Sequence, residues 1–275
     1  MIITRPRHLL VAGMTILSGC LMAQDVADSP DSLAKARHEV EINAGAIHNR
    51  VIDEGFTASK LKFTGNTPAF QATYRRTGEK IVIHAGLYAA FGKVRTADQR
   101  ISSRMYQYRI SASVLRPLFK SGTSSSKIHL FIGGELSSMI YMRYDEKQIY
   151  NVSAMFIHGL YVHALGQLDL NSRSSISAEL FVPGLLFTRY VAADGGANVD
   201  LKPEADHPLE LIFNKAAIAS PVPFPYLRCK FGYSLKLSQR VSFAASYEFS
   251  RLRDQSEGTL RAYGNQILTG FKFHF

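Results

Sequence analysis

The side chains of this chain best suited to chemistry are its serines, histidines and charged groups, and the first question is whether their spacing makes a site. A hydrolytic serine needs a histidine base within hydrogen-bond reach and a third group that orients the base. Ser153, His158, His163 and Ser177 supply the residue types, as do Ser246 and Ser250 in "SYEFSRL". No short motif ties one of these His to one of these Ser, so hydrogen bonding within a wall is their expected role and no catalytic residue is assigned. Metal binding fares no better by spacing. The nine His never stand two or four positions apart, and neither CxxC nor HExxH occurs. "DGGANVD", Asp194 to Asp200, lacks the acidic spacing and closing Glu of a calcium loop and reads as a loop tip. The expectation is a chain with no metal and no cofactor.

The charged groups are more orderly. Glu41, Arg109, Glu135, Arg143, Glu179, Arg228, Lys230, Lys236, Glu248 and Lys272, with Gln107, sit inside segments in which polar and apolar residues alternate. Strand side chains point to opposite faces with a period of two, so such segments read as strands with one oily and one wet face. Ten are found, near 39–51, 68–77, 80–93, 104–118, 127–143, 154–170, 174–190, 226–238, 241–251 and 260–275. The clearest pair is a hairpin. Leu227, Cys229, Phe231, Tyr233 and Leu235 oppose Arg228, Lys230, Gly232 and Ser234; after a turn at 238–240, Val241, Phe243, Ala245, Tyr247 and Phe249 oppose Ser242, Ala244, Ser246 and Glu248. In "KIHLFIGGELSSMIYMR", Phe131 and Tyr141 fall on the polar side against the pattern.

The connections alternate in length. "RRTGEK", "FKSGTSSSK", "DLNSRSS" and "LSQR" are short or moderate, whereas 52–67, 94–103, 144–153, 191–225 and 252–259 are longer. Short turns on one rim and long loops on the other is the arrangement of even-numbered membrane barrels. The 191–225 link is expected at the surface; its part "LELIFNKAAIA" could join a hairpin and so change the strand count. At 275 residues, 46% of them apolar, the chain suits one large all-β domain. Its net charge of +10 permits an acidic partner, but without a recognition helix, zinc-finger spacing or a long basic run, nucleic acid is not expected.

The first residues read as an export signal. Arg5 and Arg7 precede the apolar run Leu9 to Leu17, and cleavage after Ala23 is the reading adopted. "LSGC", ending at Cys20, also resembles a lipobox whose Cys would be lipidated. The apolar run is shorter than the roughly 20 residues a spanning helix needs, and no later stretch is longer without a charge.

Three features favour lipid over water around the oily faces. Soluble strands average about five to six residues, whereas several segments here reach the roughly nine to eleven of a tilted membrane strand. The wet faces carry Ser, Gly, Gln and paired charge types suited to a lumen, and the export signal is the third feature. An all-β chain spans a bilayer only as a closed cylinder, because every backbone amide must find an internal partner. On that reading Phe271, Phe273 and Phe275 in "TGFKFHF" face lipid, and Lys272 and His274 face the lumen.

A final aromatic after alternating apolar positions resembles the C-terminal signature of Gram-negative outer-membrane β-barrels. The resemblance implies a closed antiparallel transmembrane barrel of about ten strands at 39–275, a signal peptide at 1–23 and a periplasmic tail at 24–38. It also implies that Phe271, Phe273 and Phe275 are presented to the barrel-assembly machinery. Its partners would be outer-membrane lipids and lipopolysaccharide, whose phosphates Arg95, Arg100, Arg104, Arg251 and Arg253 could pair. The absence of Trp departs from the usual aromatic girdles, leaving Tyr106, Tyr108, Tyr233, Tyr247 and Tyr263 for the interfaces. Ten strands enclose a narrow lumen, expected to be filled by the charge network named above. The functions that follow are a structural or surface-interacting protein or a narrow pore. The alternatives are a lipid-modifying hydrolase of the same membrane, and a soluble or lipid-anchored barrel holding an apolar ligand, with its rings turned inward.

Overall fold

The computed structural model describes residues 37–53, 61–122, 127–145, 152–193, 217–219, 226–254 and 260–275. The expected signal peptide, nearly all of the tail and most of the 191–225 link, with its Asp194 to Asp200 tip, lie outside the described residues. The alternating segments form β1 (Arg37–Asp53), β2 (Lys62–Thr77), β3 (Val82–Thr96), β4 (Ser102–Gly122), β5 (Lys127–Asp145), β6 (Val152–Asp169), β7 (Ser174–Ala193), β8 (Ala217–Ala219), β9 (Tyr226–Lys236), β10 (Val241–Asp254) and β11 (Leu260–His274). All pairings are antiparallel, in the order β6-β5-β4-β3-β2-β1-β11-β10-β9-β7, and β6 also pairs with β7, so ten strands close into a barrel. The short β8 continues the wall beside Leu186–Thr188, beyond the stretch of β7 that pairs with β9. "LELIFNKAAIA" thus ends in a fragment of wall, and among the described residues the full strands number ten.

Two departures from the sequence reading have local causes. β2 begins at Lys62 and not near 68, because Phe63 and Thr67 carry the inward alternation through "TGNTP", which on its own reads as a turn. In β7 the pairing with β6 slips beside Pro183 and Gly184, and the bulge inverts the alternation so that Leu185 faces out and Leu186 in. The closing seam between β1 and β11 is tight. A Cβ on Gly270 would overlap the Ile42 carbonyl and Asn43 Cα, and one on Gly45 would overlap the Ile267 carbonyl. Only glycine permits that approach.

The outer face is apolar in a belt. On β3, Ile83, Ala85, Leu87, Ala89 and Phe91 point outward, and Lys93 and Arg95 follow them. Nine residues at about 3.3 Å each, tilted about 40°, cover about 23 Å along the barrel axis, close to the ~25 Å apolar band of outer-membrane barrels. Phe271, Phe273 and Phe275 are 49%, 37% and 78% exposed, whereas Lys272 and His274 pair inside with Glu41 and Glu39. The soluble alternative required the rings inside; their outward direction rules it out. Tyrosines edge the belt in place of Trp: Tyr106 and Tyr144 stack at 5.7 Å with their hydroxyls 3.1 Å apart.

Candidate functional site

The lumen is organised in three storeys. Nearest the rim of short turns, Lys272 Nζ lies 3.4 Å from Glu41 and His274 Nδ1 3.4 Å from Glu39, while Asn43 donates to Glu41 at 2.6 Å. Toward the same rim, on β3 to β6, Val82, Leu115, Phe131 and Leu165 form an apolar cluster. Phe131, which broke the sequence pattern, therefore has an apolar pocket of its own inside.

The middle storey crosses the barrel. Arg109 of β4 donates to both carboxylate oxygens of Glu248 on β10, at 2.8 and 3.2 Å. Arg228 of β9 donates to Glu135 on β5 at 2.6 Å and lies 3.6 Å from the centre of the Phe181 ring. Neither pair joins neighbouring strands, so the side chains must bridge the lumen. Lys230 Nζ stands 3.9 Å from Glu179, whose other oxygen is 3.1 Å from His163 Nε2. Burying such charges costs about as much as pairing them returns. Their consequence is occupancy: guanidinium and carboxylate groups fill space that water would otherwise take.

The external storey is largely apolar. Val51, Phe63, Val94, Met105, Met155, Ile157, Leu186, Leu252 and Leu260 cluster there, with the fully buried Arg143 placed 4.2 Å over the Phe63 ring. Tyr141, the second residue to break the pattern, donates to Met105 Sδ at 3.0 Å within this cluster. A cavity of about 20 Å³ lies between the middle and external storeys, bounded by Asn49, Tyr88, Gln107, Arg109, Tyr226 and Glu248. That is room for about one water.

Of the ten charged residues singled out in the sequence, Glu41, Arg109, Glu135, Glu179, Arg228, Lys230, Glu248 and Lys272 come together as the pairs above, Arg143 is fully buried over the Phe63 ring, and Lys236 ends β9 at the exposed rim. The serine and histidine candidates are not brought into one group. Ser153, Ser177, Ser246, Ser250 and His163 are on the lumen side, whereas His158 is on the outer wall. Sequence reasoning missed Ser138, which stands opposite His158 on adjacent strands of that wall. It also missed the approach of His84 to His163 and Glu179, whose ligand atoms lie within 4.8 Å of one another on β3, β6 and β7. No periodicity in the chain signals either, since each depends on strand register.

No protein-family model and no curated protein matches the chain. Among solved structures, the outer-membrane protease OmpT of Escherichia coli is similar in fold, with a TM-score of 0.53 at 9% identity over 92% of this chain and 99% of that one. Neisserial surface protein A scores 0.38 at 9% identity, covering 86% of this chain and 97% of that one. Ail, the attachment invasion locus protein of Yersinia pestis, scores 0.34 at 11% identity, covering 86% of this chain and 98% of that one. With its closed antiparallel wall, apolar belt and inward charges, the chain has the fold of an integral outer-membrane β-barrel of the Gram-negative type.

Proposed function

We propose that the protein is a sealed scaffold of the outer membrane, which carries its external connections at the cell surface and conducts no solute. The observation that supports this is the interior: two salt bridges cross the lumen and an apolar cluster lies beyond them. A narrow anion path along the excess Arg and Lys is the reading this displaces, because those cations are engaged with carboxylates and rings. Purified barrel added to planar bilayers is expected to give no steady conductance above the bare membrane. Discrete, reproducible conductance steps from the wild type would overturn the reading.

The scaffold's partners in this proposal are lipopolysaccharide and, during biogenesis, the assembly machinery. Arg50, Lys93, Arg95, Arg104, Arg251 and Arg261 project outward on β10, β11 and β1 and, past β2, on β3 and β4, beyond the belt. Phosphates of lipopolysaccharide suit such a band through charge-assisted hydrogen bonds. Replacing Arg95, Arg104 and Arg251 together by Gln is expected to weaken lipopolysaccharide binding and flatten its salt dependence, with heat-modifiable gel migration confirming the fold.

One observation favours a second reading, a lipid hydrolase. Ser138 faces His158 across β5 and β6 on the outer wall, where an acyl ester could approach. Phospholipid hydrolysis by the wild type that disappears in S138A would establish it; no hydrolysis above blank vesicles would dismiss it.

A further inference from the structure

We propose that His84, His163 and Glu179 form a binding site for one divalent transition-metal ion of the zinc or copper class, inside the lumen and on the periplasmic side of the crossing salt bridges. The three residues come from β3, β6 and β7, and one ligand atom from each lies within 4.8 Å of the others. Two imidazoles and a carboxylate are a frequent ligand set for such ions, with the remaining positions left to water.

The geometry suits a cation at this point in two ways. His163 Nδ1 lies 3.2 Å from Ser113 Oγ, and its Nε2 faces Glu179 Oε2 at 3.1 Å. When Nδ1 carries the proton and donates to Ser113, Nε2 presents a lone pair to a carboxylate oxygen. In the other tautomer Nε2–H donates to Glu179 and Nδ1 accepts from the Ser113 hydroxyl; a bound ion selects the first, in which the Nε2 lone pair and the carboxylate face the same point. The Ser113 bond also fixes the ring as a second-sphere hydrogen bond does at metal-bound His. Independently, His84 Nε2 is buried and has no hydrogen-bond partner, although its ring lies edge-on to that of His163 at 5.7 Å. A buried imidazole nitrogen with nothing to bond is costly. A shared ion gives all three groups a partner.

Charges facing the cluster set limits on affinity. Lys230 Nζ lies 3.9 Å from Glu179 Oε1, the oxygen turned away from His163, and Arg75 pairs in register with His84 on the neighbouring strand. Both are cations. Against them stand the carboxylates of Glu179 and, near Lys272, Glu41, which offset part of the charge the ion brings. Glu41 and Lys272 nearer the rim of short turns, and Glu179 in the cluster itself, keep 15%, 19% and 15% of their side-chain surface, so the proposed entry is from that rim. The other direction is closed by Arg109, Glu248 and the apolar storey.

The test uses the full barrel, without a polyhistidine tag, folded in detergent and stripped with chelator. Titration with Zn²⁺ is expected to show one site with a micromolar or tighter Kd, weakened by about 10- to 100-fold in H84A and E179Q, and abolished in H84A/H163A. Heat-modifiable migration checks that each variant is folded. Absence of stoichiometric binding, or binding unchanged in the double variant, overturns the proposal. Should the variants fail to fold, Cu²⁺ bound to the wild type decides the matter by electron paramagnetic resonance. Coupling to two imidazole nitrogens supports the site, and coupling to one or none refutes it.

Discussion

The pair that crosses the middle of the lumen offers a quantitative test of how the interior is held. Arg109 gives Glu248 two hydrogen bonds, at 2.8 and 3.2 Å, and both side chains are 5% exposed. A hydrogen bond to a charged group contributes about 1.5–3 kcal/mol, so losing both costs about 3–6 kcal/mol. Removing one partner of a buried ion pair costs about 3–5 kcal/mol by a separate route of measurement. We therefore expect R109M to destabilise the barrel by about 4 kcal/mol, close to a thousandfold in the folding equilibrium. E248M should cost a similar amount. The double variant R109M/E248M should return to within about 1 kcal/mol of the wild type, since apolar side chains of like volume replace a buried ion pair at little cost. The chain has no Trp, so urea-dependent folding into detergent is best followed by gel migration and circular dichroism. An R109M penalty below about 1 kcal/mol, or a double variant whose penalty equals the sum of the singles, would refute the pairing as the source of order here.

Other outcomes follow from the wall and the rims. G270A should fold in low yield, because its methyl group would meet the Ile42 carbonyl across the closing seam; normal yield would show that the seam gives way. Deletion of Phe275, whose backbone N–H donates to the His38 carbonyl at 2.9 Å, should lower the amount of barrel assembled in cells more than it lowers the yield of folding in detergent. At the external turn between β3 and β4, the Thr96 hydroxyl donates to Asp98 at 2.5 Å and holds its carboxyl below the ordinary range. Stability from this bond is present above the unfolded pKa of Asp98 and is lost as pH falls through the lower folded value. T96V should raise that pKa toward the ordinary carboxylate range, as read by NMR titration, with the Arg100 backbone N–H still holding part of the shift.

Much of the wall was legible in the chain because membrane strands obey one strict rule, alternation, over lengths that few other structures require. Phe231 and Tyr247 faced out and Lys230 and Glu248 faced in as their parity demanded. The failures came where parity is locally suspended. Gly65 and Pro68 disguised the start of β2, and the bulge at Gly184 inverted the end of β7. Phe131 and Tyr141 looked like noise and are interior packing groups, which a filled cylinder needs and an open one would not. Membership of the lumen could be read from sequence, but pairing within it could not. Arg109 finds Glu248 and His84 finds His163 across strands far apart in the chain, and only shear and closure determine which inward groups share a level.

The seam between β1 and β11 carries an implication for the order of events in making the protein. Glu39 lies beside His274, on the order of 200 residues away along the chain, whereas every other full-length pairing joins strands much nearer in sequence. By the logarithmic law for loop closure, joining those two ends costs roughly 3–4 kcal/mol more entropy than closing a hairpin. Until β11 emerges from synthesis and export, hairpins can form locally but the sheet keeps two bare edges, with their amide and carbonyl rows exposed. The nascent chain thus travels through an aqueous compartment in its most adhesive form, and its last strand is the one that ends the risk.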